Sequence, residues 1–471
     1  MLIVLPFLVN SILSFVIGLL VAKMLGPAEY GRFALALSVA VVLQTLVFEW
    51  LRLAALRFYS DGERATRPEI RATLDVGFGL LALAGAAVAA IMFLGPVSLP
   101  PSPALAALAV GAAAANGAFD LAAALVRARF LDRAYGVLVV AKNVLALVLV
   151  VGGAWWFQSA AVALAGVIVS AAGSIALVLR TLADPQATPA RARAAAARMF
   201  AGYAVPIVLA NLLYQIVPMM NRWLAADTLG YAQSGQLALA FEIGIRIVGA
   251  IGSSLDVILF QLAVLTERIE GAPGARVQVQ RNMGVVIGIV LPAAFGAYAV
   301  LPAFEALLVP ESFRGPFAHY FALMTPALAA FGLINYAIYP AFQIERRTLP
   351  LVIAALVALL ANVLALALLP ATQDATSYAL AQSISSVAGL LALLAALFAL
   401  TPVRPRWRDV AAAVVGVAAM VTILLPMRTL GLGADTLAIQ IVGGFLVYFI
   451  VVMSLDIAEL RTLLLARLLR T

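Results

Sequence analysis

The sequence predicts an all-α integral membrane protein of about fourteen transmembrane helices, and three observations predict it. The chain of 471 residues is 65% hydrophobic and 11% charged, whereas soluble domains carry about 25% charged residues. Its apolar segments are long and do not alternate with polar residues, which favours helices over the short strands of a membrane barrel. Arginines gather in every second loop, as expected where loops face the cytoplasm.

The apolar segments define the predicted spans in chain order. Crossing a bilayer takes about 20 residues in a helix. Because several segments exceed this length, we expect tilted helices or helices that extend beyond the membrane. The fourteen segments are residues 2–24, 31–57, 71–95, 103–128, 134–157, 159–180, 198–224, 231–264, 283–309, 315–343, 349–370, 376–400, 409–427 and 436–455.

The positive charges predict the orientation of the chain. The net charge is +8, and Lys23 and Lys142 are the two lysines. Twenty-three positive residues lie in or next to the loops that follow even-numbered spans. The other loops hold five: Lys23, Arg32, Arg222, Arg314 and Arg428. This alternation predicts that both termini are cytoplasmic. The same rule accounts for the positive net charge of the chain, so we expect no nucleic-acid partner.

The spans group into two bundles joined by a polar stretch. We predict an N-lobe over 1–182 with spans one to six and a C-lobe over 199–400 with spans seven to twelve. Residues 183–198 read as the cytoplasmic linker between the lobes, and 401–455 hold the last two spans. Residues 456–471 show leucines and arginines at helical spacing, which indicates a cytoplasmic amphipathic helix. A frayed extension of the last span is the alternative.

An internal repeat supports two related halves. Residues 25–36 read LGPAEYGRFALA, and residues 229–240, 204 positions downstream, read LGYAQSGQLALA, with seven matches in twelve positions. The copies are six spans apart, an even number, so we expect parallel repeats related by an axis along the membrane normal. Transporters are commonly built from such repeats, with the substrate between the halves.

The composition excludes several classes of chemistry. The chain has no cysteine, and His319 is its one histidine, which argues against thiolate chemistry and against a metal site. Neither lysine follows a glycine, as the lysine of a nucleotide-binding P-loop must. We therefore expect no enzyme, no ATP-driven pump, no metal and no cofactor other than a coupling ion.

Charged residues inside the predicted spans mark candidate functional positions, because burying charge in a membrane is costly. Guanidinium groups bind phosphate in a bidentate manner, so a wet cavity that holds them favours a phosphate-bearing substrate. The alternative for the pairs Asp120–Lys142, at matching depth in spans four and five, and Glu242–Arg246 is an internal clamp. The charges are Glu49, Arg52, Asp120, Lys142, Glu242 and Arg246.

Prolines predict bent helices at the start of each half. Pro6 and Asn10 stand in span one, and Pro206, Asn211 and Pro218 stand in span seven. Proline removes a backbone hydrogen bond and can kink a helix. Kinks at matching positions suit gating helices, and kinks that serve packing are the alternative.

The stretch LGPAEYGRFA at residues 25–34, between two apolar spans, resembles the start of bacterial polysaccharide transporters. These are the Wzx-like O-antigen and exopolysaccharide flippases of the multidrug/oligosaccharidyl-lipid/polysaccharide (MOP) superfamily. The layout of fourteen spans in two lobes is similar to theirs. The resemblance implies a cationic cavity in the bacterial inner membrane and transport of an undecaprenyl-diphosphate-linked oligosaccharide to the periplasmic leaflet.

The resemblance and the intramembrane charges together imply roles for particular residues. Three cations would attract the diphosphate: Arg52, Lys142 and Arg246. Three carboxylates could exchange with protons or sodium ions: Glu49, Asp120 and Glu242. The expected partners are the lipid-linked oligosaccharide, membrane lipids, a polysaccharide polymerase and glycosyltransferases. The alternatives are a multidrug exporter of the same superfamily, a lipid II flippase, and a non-transporting scaffold of a polysaccharide-synthesis complex.

Overall fold

The computed structural model describes the backbone of residues 4–94, 102–345, 347–457 and 461, and the side chains of these residues except 4–10, 256–258 and 260. Within these ranges, thirteen helices are long and apolar enough to cross a bilayer. The first, Ser11–Val47, contains a break at Gly26 and therefore covers predicted spans one and two. The predicted all-α membrane fold is confirmed. Most of the predicted tail helix over 456–471 falls outside the described residues.

The chain divides into two compact units, Met1–Ala238 and Leu239–Thr471. A π-helical turn at Leu147–Val151 joins two helices of the first unit. The helices of this unit are α1 (Val4–Val47), α2 (Glu49–Phe58), α3 (Asp61–Thr66), α4 (Pro68–Leu94), α5 (Pro103–Ala128), α6 (Asp132–Ala146), α7 (Gly152–Phe157), α8 (Ala160–Leu182), α9 (Ala194–Leu229) and the beginning of α10 (Tyr231–Ala299).

Local sequence explains where several of these helices begin. Ser60 caps α3, since its Oγ accepts a hydrogen bond from the Glu63 amide at 3.2 Å. Ser102 caps α5 in the same way, with its Oγ 3.2 Å from the Leu105 amide. Pro103 follows at the first helical position, where its missing N–H costs nothing.

Ion pairs tie the loops together at the predicted cytoplasmic end of the first unit. Arg129 Nε donates to Asp61 Oδ1 at 2.8 Å, which joins the end of α5 to α3. Arg64 Nε lies 3.1 Å from Asp184 Oδ2, at the start of the predicted linker. The Arg193 amide donates to Thr73 Oγ1 at 3.0 Å. The predicted linker is therefore anchored to α3 and α4.

The second unit contains the remaining helices. The hairpin of its last two helices is tied to α10, because Tyr448 Oη donates to the Gly288 carbonyl at 2.6 Å and Arg428 Nε donates to the Ala299 carbonyl at 2.9 Å. The helices that follow α10 are α11 (Leu301–Leu308), α12 (Pro316–Gly332), α13 (Tyr339–Ile344), α14 (Leu349–Leu368), α15 (Thr376–Leu400), α16 (Trp407–Leu424) and α17 (Ala434–Leu455).

Candidate functional site

Charged and amide side chains of α1, α2, α5 and α6 come together in the first unit. Each of these residues is half-buried. Charged groups of membrane helices need water or a polar partner, and within this group each charge has a polar side-chain partner. We call it the charged cluster and define it by Gln44, Glu49, Arg52, Asn116, Asp120 and Lys142.

A break between α1 and α2 positions two residues of the charged cluster. Phe48 separates the two helices and is 5% exposed. It packs directly on α5, because a methyl group added at Gly117 would lie 2.8 Å from the Phe48 side chain. The break falls directly before Glu49. The first turn of α2 therefore starts beside Gly117 of α5, which lies one helical turn before Asp120.

Arg52 and Glu49 form a two-point ion pair within the first turn of α2. Arg52 Nε donates to Glu49 Oε2 at 2.8 Å, and Arg52 Nη2 donates to Glu49 Oε1. Paired N–H···O bonds of this kind are among the strongest in proteins. Negative charge is also favoured at a helix N-terminus. Both carboxylate oxygens of Glu49 are therefore engaged by Arg52.

Asp120 is bonded to an uncharged side chain. Its Oδ2 accepts a hydrogen bond from Gln44 Nε2. It also interacts electrostatically with Lys142, Arg52 and Glu49. The structure therefore brings Asp120 and Lys142 within electrostatic range of each other, as their matching depth in the sequence predicts, while the hydrogen bond of Asp120 goes to an amide.

Lys142 also has uncharged partners. Its Nζ donates to Asn116 Oδ1 at 3.2 Å and lies 3.9 Å from the centroid of the Phe119 ring. The face of an aromatic ring attracts a cation, though less strongly than a carboxylate does at close range. The π-helical turn at Leu147–Val151 begins five residues after Lys142, and such turns are frequent at functional sites.

The other predicted ligand residues lie in the second unit. Glu242 and Arg246 are half-buried residues of α10, four positions apart. Their spacing places them on one face of that helix. Their roles in substrate binding and ion coupling stay predictions.

The predicted gating residues stand on α1 and α9. Asn211 and Pro218 are half-buried, Pro206 is exposed, and α9 runs through both prolines. Pro6 and Asn10 lie in the backbone of α1, and their side chains are outside the described residues. A gating role for these residues stays a prediction.

The two copies of the repeat share an unusual backbone feature. Gly26 and Gly230 have φ values of 68° and 88°, with ψ values of 173° and 165°. This conformation is essentially restricted to glycine. Each copy therefore ends one helix and starts the next at an equivalent glycine.

The two copies also contact each other within the first unit. A Cβ atom added at Gly31 would lie 1.9 Å from the Tyr231 carbonyl oxygen, and one added at Gly235 would lie 2.2 Å from the Pro27 carbonyl oxygen. Glycine alone permits so close an approach of two backbones. We call this contact of Gly31 and Gly235 the repeat crossing.

The structure corrects the predicted location of Arg222. The residue lies inside α9 and is 6% exposed, whereas its charge had suggested a loop. Its Nη1 donates to Ser38 Oγ at 2.5 Å, and its carbonyl accepts a hydrogen bond from Ser234 Oγ at 2.8 Å. Arg222 is thus a buried polar link between α9, α1 and the start of α10.

The sequence analysis missed Gln44 and Asn116, because in spans two and four it singled out charged residues alone. Both amides interrupt apolar segments at the level of the charged residues that they contact. Polar residues of this kind are a usable signal, since an unsatisfied amide in a membrane is costly.

The charged cluster presents two cations, two carboxylates and two amides. Across the described ranges, no group of three or more His, Cys, Asp or Glu side chains is placed to hold a metal ion. The cations can bind an anionic group, and the carboxylates can exchange a small cation. The arrangement therefore suits ligand binding and ion exchange.

No family model and no curated protein matches this chain. Solved structures share its fold. The lipid II flippase MurJ in its inward closed conformation gives a TM-score of 0.66 at 13% identity, covering 96% of this chain and 98% of that chain. The eukaryotic MATE transporter AtDTX14 gives 0.52 at 16% identity, covering 88% and 97%.

An inward-facing multidrug resistance MATE family transporter of the MOP superfamily gives a TM-score of 0.51 at 12% identity, covering 84% of this chain and 93% of that chain. At such identities the similarity shows the fold alone. The chain is a multi-pass membrane protein with the fold of these transporters. Membership of the MOP superfamily, and of the Wzx-like family within it, stays a prediction.

Proposed function

We propose that this chain is a flippase that moves an undecaprenyl-diphosphate-linked oligosaccharide across the bacterial inner membrane by alternating access. The transported glycan would serve O-antigen, exopolysaccharide or lipopolysaccharide synthesis. The observation that carries the proposal is the charged cluster, where Arg52 and Lys142 are half-buried cations of a membrane bundle. A lipid-linked diphosphate joins an anionic headgroup to a long apolar chain, which suits a cationic site inside a membrane protein.

The proposed cycle assigns separate work to the cations and the carboxylates. Arg52 and Lys142 bind the diphosphate, and Arg246, in the second unit, keeps its predicted role as a phosphate-binding cation. Glu49, Asp120 and Glu242 exchange with protons or sodium ions. Because Asp120 acts electrostatically on both Lys142 and Arg52, a change in its charge alters how strongly the cations hold an anion.

Lipid II is the second candidate substrate, because a lipid II flippase is among the proteins that share the fold of this chain. The fold similarity to a lipid II flippase extends over 96% of this chain at a TM-score of 0.66. Export of cationic drugs is less well supported, because the charged cluster contains Arg52 and Lys142, which would repel a cation.

Transport in proteoliposomes tests the proposal. The full chain is reconstituted with an undecaprenyl-diphosphate-linked oligosaccharide, and a membrane-impermeant glycosidase measures how much of the lipid reaches the outer leaflet. Lys142→Gln and Arg246→Gln should slow transport about tenfold or more, because each removes a charged hydrogen-bond donor. Lys23→Gln is the matched control, since Lys23 is the other lysine and is exposed.

Three results would count against the proposal. Transport of lipid II without transport of the oligosaccharide lipid would favour the second candidate. Accumulation of ethidium without lipid transport would favour drug export. Equal transport by Lys142→Gln, Arg246→Gln and wild type would show that these two cations do not bind the substrate.

A further inference from the structure

The charged cluster holds its two kinds of cation in different ways. Arg52 is bound at two points by the carboxylate of Glu49. Lys142 is bound by the neutral oxygen of Asn116 and by the ring of Phe119. The charge of Arg52 is therefore matched locally, whereas the ammonium of Lys142 is held by weaker, uncharged partners.

Asp120 is the carboxylate that could neutralise Lys142, and an amide holds it as well. Its oxygen accepts the hydrogen bond of Gln44, while its interaction with Lys142 acts through space. Asn116 stands four residues before Asp120, one turn away on α5. Two amides thus keep a carboxylate and an ammonium group near each other but separately bonded.

This separation has a consequence for ligand exchange. A direct buried ion pair is costly to break, because each charge is then left without its partner. A hydrogen bond to a neutral amide is weaker than one to a charged group. An ammonium group held by Asn116 can therefore leave for an anionic oxygen more readily than one held by Asp120.

We propose that Lys142 is the exchange point for the phosphoryl group of the substrate, and that Asp120 is the counter-ion that recaptures it. On loading, the Lys142 ammonium leaves Asn116 for a phosphoryl oxygen. On release, Asp120 attracts the ammonium away from the departing phosphate. Gln44 and Asn116 are positioning residues that keep the two charges apart. The inference rests on the proposed function, since the ligand is the diphosphate of a lipid carrier.

The same reasoning separates Lys142 from Arg52. A phosphoryl group that binds Arg52 must share or displace the carboxylate of Glu49, which occupies two of the guanidinium donors. At Lys142 the phosphoryl group displaces a neutral oxygen. The first phosphate contact therefore belongs to Lys142, and Arg52 contributes mainly as a nearby positive charge.

The lysine content of the chain provides a direct test. Lys142 and Lys23 are its two lysines, so the acylation rate of each can be followed by peptide mass spectrometry of the full chain in detergent. Farnesyl diphosphate at ten times its Kd should slow the acylation of Lys142 about tenfold by mass action. Lys23 should react at an unchanged rate. Farnesol, which lacks the phosphates, is the ligand control, and inorganic pyrophosphate tests whether free phosphate suffices.

Two variants test the positioning and counter-ion roles. Asn116→Asp places a carboxylate against Lys142 and should abolish the protection by farnesyl diphosphate. Asp120→Asn should lower the Kd for farnesyl diphosphate about fivefold, a typical coupling between interacting sites, while it slows transport. Tighter binding with slower transport is a combination that a merely structural role for Asp120 would not produce.

The outcomes separate this inference from the proposed function. If wild type transports the oligosaccharide lipid but farnesyl diphosphate leaves the acylation of Lys142 unchanged, the inference fails and the proposed function stands. If wild type neither transports the lipid nor shows protection, both fail. Weaker binding in a folded Asp120→Asn variant would overturn the counter-ion role. The wild-type labelling comparison needs no variant to fold.

Discussion

The repeat crossing and the charged cluster differ in how far they follow the internal repeat. At the crossing, both copies place glycine at the contact, as Gly31 and Gly235. In the charged cluster the two halves differ, since Glu49 has Ser253 as its counterpart at the same offset of 204 residues. Backbone geometry is thus retained in both halves, whereas charge is placed in one. The difference teaches that close backbone contacts follow the repeat and that intramembrane charges do not.

The same distinction holds in the other direction. Glu242 and Arg246 have Ser38 and Val42 as their counterparts 204 positions upstream. Ser38 accepts a hydrogen bond from the buried guanidinium of Arg222, so the first half uses this position for packing. Each half therefore carries charges of its own on a shared helical framework.

The largest effect should come from closing the space at the repeat crossing. Gly31→Ala should lower the free energy of unfolding by about 3 kcal/mol, because the new methyl group would meet the Tyr231 carbonyl and force the backbones apart. Titration with sodium dodecyl sulfate in mixed micelles measures this change, and Gly235→Ala should match it.

Gly136→Ala is the control for the crossing. Gly136 lies in α6, with no neighbouring atom within 4 Å of an added Cβ in the described structure. Because alanine favours a helix over glycine, this variant should gain about 0.5 kcal/mol. A Gly31→Ala protein as stable as Gly136→Ala would show that the crossing is not a close contact.

A smaller effect should come from the charged cluster. Glu49→Gln should lower the free energy of unfolding by about 2 kcal/mol, because Arg52 loses a charged two-point acceptor in a partly buried site. Glu311→Gln is the matched control. Its carboxylate is 90% exposed and 3.9 Å from Arg314, and exposed pairs contribute little.

The expected outcome is therefore a loss at Glu49 and no measurable change at Glu311, both followed by the same titration. Equal stability of the two variants would mean that the ion pair in α2 behaves like a surface pair. The Glu49–Arg52 pair would then contribute no more to stability than the exposed Glu311–Arg314 pair.

The fold could be predicted from the sequence because each span must be long and apolar. The approach of Asp120 and Lys142 also followed from their equal distances to the turn between α5 and α6. The hydrogen-bond partners could not be predicted, since they depend on amides of other helices. Arg222 was misplaced because a charge near a span end resembles a loop residue, whereas Ser38 and the length of α9 keep it buried.

The smallest effect should come from the two helix breaks. Gly26→Ala and Gly230→Ala should each cost about 1 kcal/mol, because alanine is strained at positive φ. No neighbouring atom lies within 4 Å of an added Cβ at either position in the described structure, so the cost is that of the backbone alone and should be equal in the two copies. Parallel titrations measure it. A loss of unfolding free energy at one glycine and none at the other would show that the two breaks are not equivalent. The two copies would then share their sequence but not the backbone strain at the helix break.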